Sequence, residues 1–154
     1  MSETVSTILK EEFEILQKDV IKRHEDTGQV ASGRTKASFD NYLTGSYSGV
    51  FVGASYSGVL EGGRKSGKVP FEMKQIIMEW AEAKGITFST TKEFERWANA
   101  VAWKIRREGT ELFRTGRMHN GKTPDIFETP VAEFETRLNN RISTFYINEI
   151  ENLI

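Results

Sequence analysis

The segment Gly62-Gly63-Arg64-Lys65-Ser66-Gly67-Lys68-Val69 comes closest in this chain to a phosphate-binding loop, because Gly62 and Gly67-Lys68 stand at the spacing such loops use. In a nucleotide-binding loop the backbone amides and the lysine cradle phosphate, and a hydroxyl directly after the lysine holds magnesium. Val69 occupies that hydroxyl position, Pro70 follows at once, and no clear strand pattern feeds the glycine turn. The segment therefore reads as an exposed basic connection. Arg64, Lys65 and Lys68 are its candidate contact residues, available to an acidic protein surface or to polynucleotide phosphate.

Other reactive side chains do not combine into a mechanism. The chain has no cysteine, which removes disulfides, thiolate chemistry and cysteine-ligated metals. His24 and His119 stand 95 positions apart, so a metal site would need carboxylates for most of its ligands. His119 falls in a polar loop, and His24 near the end of a helix, where the C-terminal dipole offers it a structural role. Ser55, Ser57 and Ser66 lie among glycines without an identifiable base, and the carboxylates fall mainly on polar helix faces. The expectation is a protein that is not an enzyme and needs no cofactor or metal. Arg106-Arg107, with Arg114 and Arg117, extend the positive surface; Trp103 lies off the packing stripe and is the aromatic interface candidate, whereas Trp97 and Trp80 are assigned to the core.

Four main helices and a hairpin must position these residues. Leu9, Phe13, Leu16 and Val20 predict an amphipathic helix from about Ser6 to Asp26, ended by Thr27-Gly28. Residues 28–36 then form a polar connection carrying Arg34 and Lys36, and the glycine- and tyrosine-rich stretch after it predicts strands near 37–43 and 48–54, with a short helical turn or a packed loop around Tyr56 to Leu60. A second helix runs from Phe71 to Lys84-Gly85. Thr90 and Glu93 have the spacing of a capping box for a third helix ending near Glu108. Residues 109–123 read as a loop. The fourth helix follows, with Thr129 as cap and Pro130 as first residue, running nearly to Ile154. The fold class is α+β: a small antiparallel sheet packed with a long N-terminal helix and three further helices.

A chain of 154 residues with 38% hydrophobic and 28% charged residues and three prolines predicts one domain over 1–154, with 28–36 and 61–69 as contact loops inside it. No apolar run approaches the roughly 18 residues of a membrane span, and the polar start lacks the features of a secretory signal, so the protein is expected to be made in the cytoplasm. The net charge of -1 conceals segments of -3 (1–29), +3 (30–70), +3 (71–122) and -4 (123–154). Acidic ends around a basic middle favour charge-patterned protein contacts over general nucleic-acid binding.

The order of the pieces is informative: a long N-terminal helix, Ala31-Ser32-Gly33-Arg34-Thr35, a hairpin, Tyr56-Ser57-Gly58-Val59-Leu60-Glu61-Gly62-Gly63-Arg64, then Pro70-Phe71 through Trp80 and Lys84-Gly85-Ile86. From about Leu9 to Ile150 this order resembles a family of tailed-bacteriophage neck and tail-completion proteins, those similar to the HK97 tail-completion protein. The segment Gly63-Arg64-Lys65-Ser66-Gly67-Lys68-Val69-Pro70 resembles the versions in phages of Bacteroidetes-type bacteria. The stretch Gly121 to Phe127, with the longer polar approach from Arg114 to Asn120, departs from the family pattern and leaves a tail-completion ring and a ring nearer the portal both open. The resemblance implies a structural virion component, located in the neck or tail and made in the host bacterial cytoplasm. Its implied partners are further copies in a homo-oligomeric ring and neighbouring portal, neck or tail proteins, close to packaged DNA. The alternative is a small nucleic-acid-binding accessory protein that uses the central basic loop.

Overall fold

Helix α1 (Val5–Asp26) forms where apolar residues recur at three- and four-residue intervals, and it buries Ile8, Leu9, Phe13, Leu16 and Val20 along one stripe. The Thr4 hydroxyl caps it, accepting from the Thr7 amide at 3.2 Å, and Gly28 follows its end with φ of 72°. The computed structural model describes residues 4–153, and the chain divides into two compact units. The first comprises the segments up to Gly28, Arg34–Ser55 and from Asp125 onward; the second comprises Gln29–Gly33 and Tyr56–Pro124. The fold is α+β, with a long N-terminal helix, further helices and a two-stranded antiparallel sheet.

In the first unit a helical turn, α2 (Arg34–Ala37), leads into strands β1 (Asp40–Gly45) and β2 (Ser48–Val52). Asn41 pairs with Phe51 and Leu43 with Gly49 on the inward face, while Tyr42 and Val50 pair on the exposed face. The sheet sits closely on α1: a Cβ on Gly49 would lie 2.5 Å from the Phe13 ring. Gln17 adds polar ties, donating to the Phe39 carbonyl and accepting from Asn41 Nδ2, each at 2.6 Å. Phe39, 3% exposed, is an aromatic hub for His24, Phe51 and Phe127, with ring centroids 5.8–6.0 Å away.

Helix α7 (Glu128–Glu151) packs antiparallel to α1, with Phe134 4.9 Å from Phe13. Its start differs from the sequence expectation. Glu128 begins it, Pro130 is its third residue, and Thr129 is not the cap; instead the Asp125 carboxylate accepts from the Thr129 amide at 2.9 Å. Pro130 fits there because amides of the first turn have no intrahelical acceptor. The helix ends at Glu151, with Asn152 as its C-terminal cap, close to the expected end.

The hydrogen bonds from the Thr129 hydroxyl and amide hold the Asp125 carboxyl below its ordinary value, aided by Arg23 at 2.6 Å and opposed by partial burial. A carboxyl depressed in the folded state stabilises the fold above the unfolded pKa and loses that contribution as pH falls through the folded value. Thermal melts should therefore drop below about pH 4. In Asp125→Asn the melting temperature should be lower at neutral pH and the acid drop shallower; identical profiles would contradict this role.

The second unit is built on a helix pair. Helix α4 (Met73–Ala83) and helix α5 (Thr91–Glu108) enclose Met73, Ile77 and Ala98, with Val69, Met78, Trp97, Val101, Ala102 and Ile105 packed around them. Thr90 caps α5 as its spacing predicts, accepting from the Glu93 amide at 3.2 Å; the Glu93 carboxylate accepts in return from Ser89 at 3.3 Å. Phe88, Phe94 and Trp97 form an aromatic cluster, and Trp97 is half-buried. Trp80 is not core. It is 45% exposed because Met73, Ile77 and Ala81 take the inward stripe, one helix position of about 100° away. Phe71 precedes α4 and is 99% exposed.

Two short helical turns complete this unit: α3 (Val59–Gly62), close to the expected turn at 56–60, and α6 (Glu111–Thr115), inside the segment expected to be a loop. Thr110 caps α6, and Gly116 ends it in the left-handed conformation at φ 67°. Gln29 donates to the Leu60 carbonyl at 2.9 Å and Lys84 to the Val30 carbonyl at 2.7 Å, fastening residues 29–33 to the second unit.

Candidate protein interface

The glycine-rich basic segment is fastened to the C-terminal end of α5. Gly63 and Gly109 adopt φ of 71° and 81° with extended ψ, a backbone region essentially reserved for glycine. Both also permit close backbone approach: a Cβ on Gly63 would lie 2.4 Å from the Phe113 nitrogen, and one on Gly109 2.7 Å from the Arg64 carbonyl oxygen. The Arg64 amide donates to the Thr110 hydroxyl at 2.9 Å, the Thr110 amide to the Arg64 carbonyl at 2.8 Å, and the Gly67 amide to the Arg106 carbonyl at 2.9 Å. The result is a corner in which a loop and a helix end share hydrogen bonds.

This corner brings together Arg64, Lys65 and Lys68 with Arg106, Arg107 and, one turn earlier on α5, Trp103. Their roles differ. Arg64 is half-buried and closes its own loop by donating to the Lys68 carbonyl at 3.0 Å. Arg107 lies 4.2 Å over the Trp103 ring and pairs with Glu108, which Arg114 also approaches at 3.4 Å. The hydrogen bond from Arg107, and then the charges of Arg107, Arg114 and Lys104, hold the Glu108 carboxyl below its ordinary range. Lys65, Lys68 and Arg106 are exposed and make no ion pair among the described residues. Trp103 is 57% exposed, so the surface presents cations beside an accessible aromatic ring.

Arg34 and Lys36 belong to the other unit, and the 28–36 connection is divided between the two. Lys36 is paired with Glu25 of α1. His119 is fully exposed, 3.7 Å from Glu111, and His24 is buried against Phe39. Among the described residues, no group of three or more histidines or carboxylates is placed to hold a metal ion, and no helix is long and apolar enough to cross a membrane.

Three features escape the sequence reading. Thr110 joins the loop to the helix end, signalled only by a hydroxyl residue directly after a helix-ending glycine. Glu12 is 2% exposed on the apolar stripe of α1, four residues from both Ile8 and Leu16, and two arginines of α7 hold it: Arg137 Nε at 2.8 Å and Arg141 Nη1 at 3.2 Å. The third is the last part of α7, where Tyr146, Ile147, Ile150 and, just past the helix, Leu153 are 48%, 55%, 58% and 86% exposed. Its signal is an apolar set too wide for one packing face.

Fold and site define a class: an α+β protein with a hydrogen-bonded basic and aromatic corner. No family model matches the chain, and no curated protein or solved structure is significantly similar to it.

Proposed function

We propose that this chain is a structural virion protein that joins or completes the head–tail neck or the tail during phage assembly, as one of several identical subunits in a ring. The observation that carries the reading is the corner formed by residues 63–68 and 106–110. Its backbone bonds hold the segments that carry these charges next to the helix end that bears an exposed tryptophan, so a partner meets a backbone already ordered and little backbone conformational entropy is lost on docking. The ordered resemblance from Leu9 to Ile150 supplies the biological setting, and a ring repeats one modest contact many times. Pull-down of the tagged chain from phage-infected cells tests the reading: portal, neck or tail proteins should be recovered with it, and recovery of none of them overturns it.

Because Arg64 closes the loop, the charge reversal that spares the fold is Lys65→Glu with Lys68→Glu. Unfolding free energy should change by no more than about 0.5 kcal/mol, while recovery of virion partners falls severalfold. Unchanged recovery would remove the loop from the interface.

The same cations support a second reading, nucleic-acid binding by the basic loop. Tight binding of duplex or single-stranded DNA by the isolated chain, lost steeply as salt rises, would favour it over the assembly reading.

A further inference from the structure

We infer that the apolar C-terminal end of α7 docks onto the basic corner around Trp103 of a second copy of this chain, in a head-to-tail contact. The inference rests on the ring reading only in taking the partner to be another copy. The inward face of α7 is used up at Phe145, yet the helix continues with Tyr146, Ile147 and Ile150, followed by Leu153. These residues recur at intervals of one, three and three, as on one side of a helix, and every residue from Tyr146 to Leu153 is exposed. Next to them, Val5, Tyr47, Phe145 and Tyr146 line an open hollow of about 400 Å³, and Tyr47 at the hairpin tip is 76% exposed. Contiguous apolar surface of this kind marks an interaction site.

Charge selects the occupant. Glu149 and Glu151 flank the α7 stripe, and residues 123–154 carry -4 in total. Pairing of this end with its own copy would set these carboxylates against each other. The corner offers the opposite combination: Trp103, 57% exposed, lies under the Arg107 guanidinium at 4.2 Å, with Arg106 three residues on along α5 and the loop that carries Lys65 and Lys68 bonded through Gly67 to the Arg106 carbonyl. Apolar and acidic meets aromatic and basic. The two patches are different parts of one chain, so the contact is heterologous; each copy uses one patch on either neighbour, and repetition closes a ring or extends a filament.

Sedimentation equilibrium of the full chain over a wide concentration range tests this, with melts as a folding control. The weight-average mass of the unaltered protein should rise with concentration above that of one chain. Ile147→Asp with Ile150→Asp, and separately Arg106→Glu with Arg107→Glu, should each weaken association at least about tenfold. An equimolar mixture of the two variants should form a dimer that grows no further, because one intact pair of patches remains. Within one chain, Glu149→Lys and Glu151→Lys added to the arginine reversals should restore association, which separates lost contact from lost folding. A protein that stays monomeric throughout, a mixture that forms no dimer, or association indifferent to the arginine reversals overturns the docking. If virion partners are still recovered in such a case, the assembly reading stands and this contact alone fails; a dimer-forming mixture from a chain that recovers no virion partner leaves the contact and overturns the assembly reading.

Discussion

Glu12→Ala should lower the unfolding free energy by about 3 kcal/mol, near the lower end of the range for breaking a buried ion pair. The carboxylate is 2% exposed and accepts from Arg137 and Arg141, so its removal leaves two guanidiniums beside the α1 and α7 seam without their shared acceptor. Both arginine side chains remain 32% exposed and regain some hydration, which keeps the loss from the top of that range. Glu11 provides the contrast. It also pairs with Arg141, at 2.7 Å, but is 51% exposed, and Glu11→Ala should cost less than about 1 kcal/mol. Urea unfolding of the two variants side by side measures the difference, and equal losses would contradict the assignment of Glu12 as the buried centre of the cluster.

Gly109→Ala should be the most damaging small substitution in the second unit. The backbone there lies in a glycine-only region, which alone costs about 1–3 kcal/mol for another residue. The added Cβ would also press on the Arg64 carbonyl at 2.7 Å and the Ser66 amide at 3.0 Å, both backbone atoms that cannot swing aside. The expected result is a loss of about 3 kcal/mol or more, together with faster amide exchange at Gly67 and Thr110, whose hydrogen bonds fasten the loop. Gly62→Ala is the control: it lies in a helical turn with nothing within 4 Å of the new Cβ, and it should be neutral or slightly stabilising. Equal effects of the two substitutions would show that the corner is not held as described.

Features carried by local pattern were readable before the structure. The α1 stripe, the Thr90 cap with Glu93, and Lys84-Gly85 as the end of α4 each depend on residues within one or two turns, and each stands where the spacing puts it. Long-range features were not. Glu12 falls among apolar residues by spacing, but nothing local reveals that its partners lie 125 and 129 positions away. Trp80 outweighs Ala81 in hydrophobicity, yet helix geometry buries the alanine. Of the interface candidates, Arg64, Lys65, Lys68, Trp103, Arg106 and Arg107 share one unit, while Arg34 and Lys36 fall in the other; the bonds between Arg64 and Thr110, 46 positions apart, explain why periodicity alone did not show the corner. The exposed end of α7 is the reverse case: its apolar residues stand in the sequence, but spacing alone does not say that Tyr146, Ile147 and Ile150 stay uncovered.

The most direct test of the assembly reading is particle imaging of phage carrying a labelled copy of this chain. A symmetric ring of label between portal and tail tube is expected; particles that are complete and infectious without the protein would contradict the assembly reading.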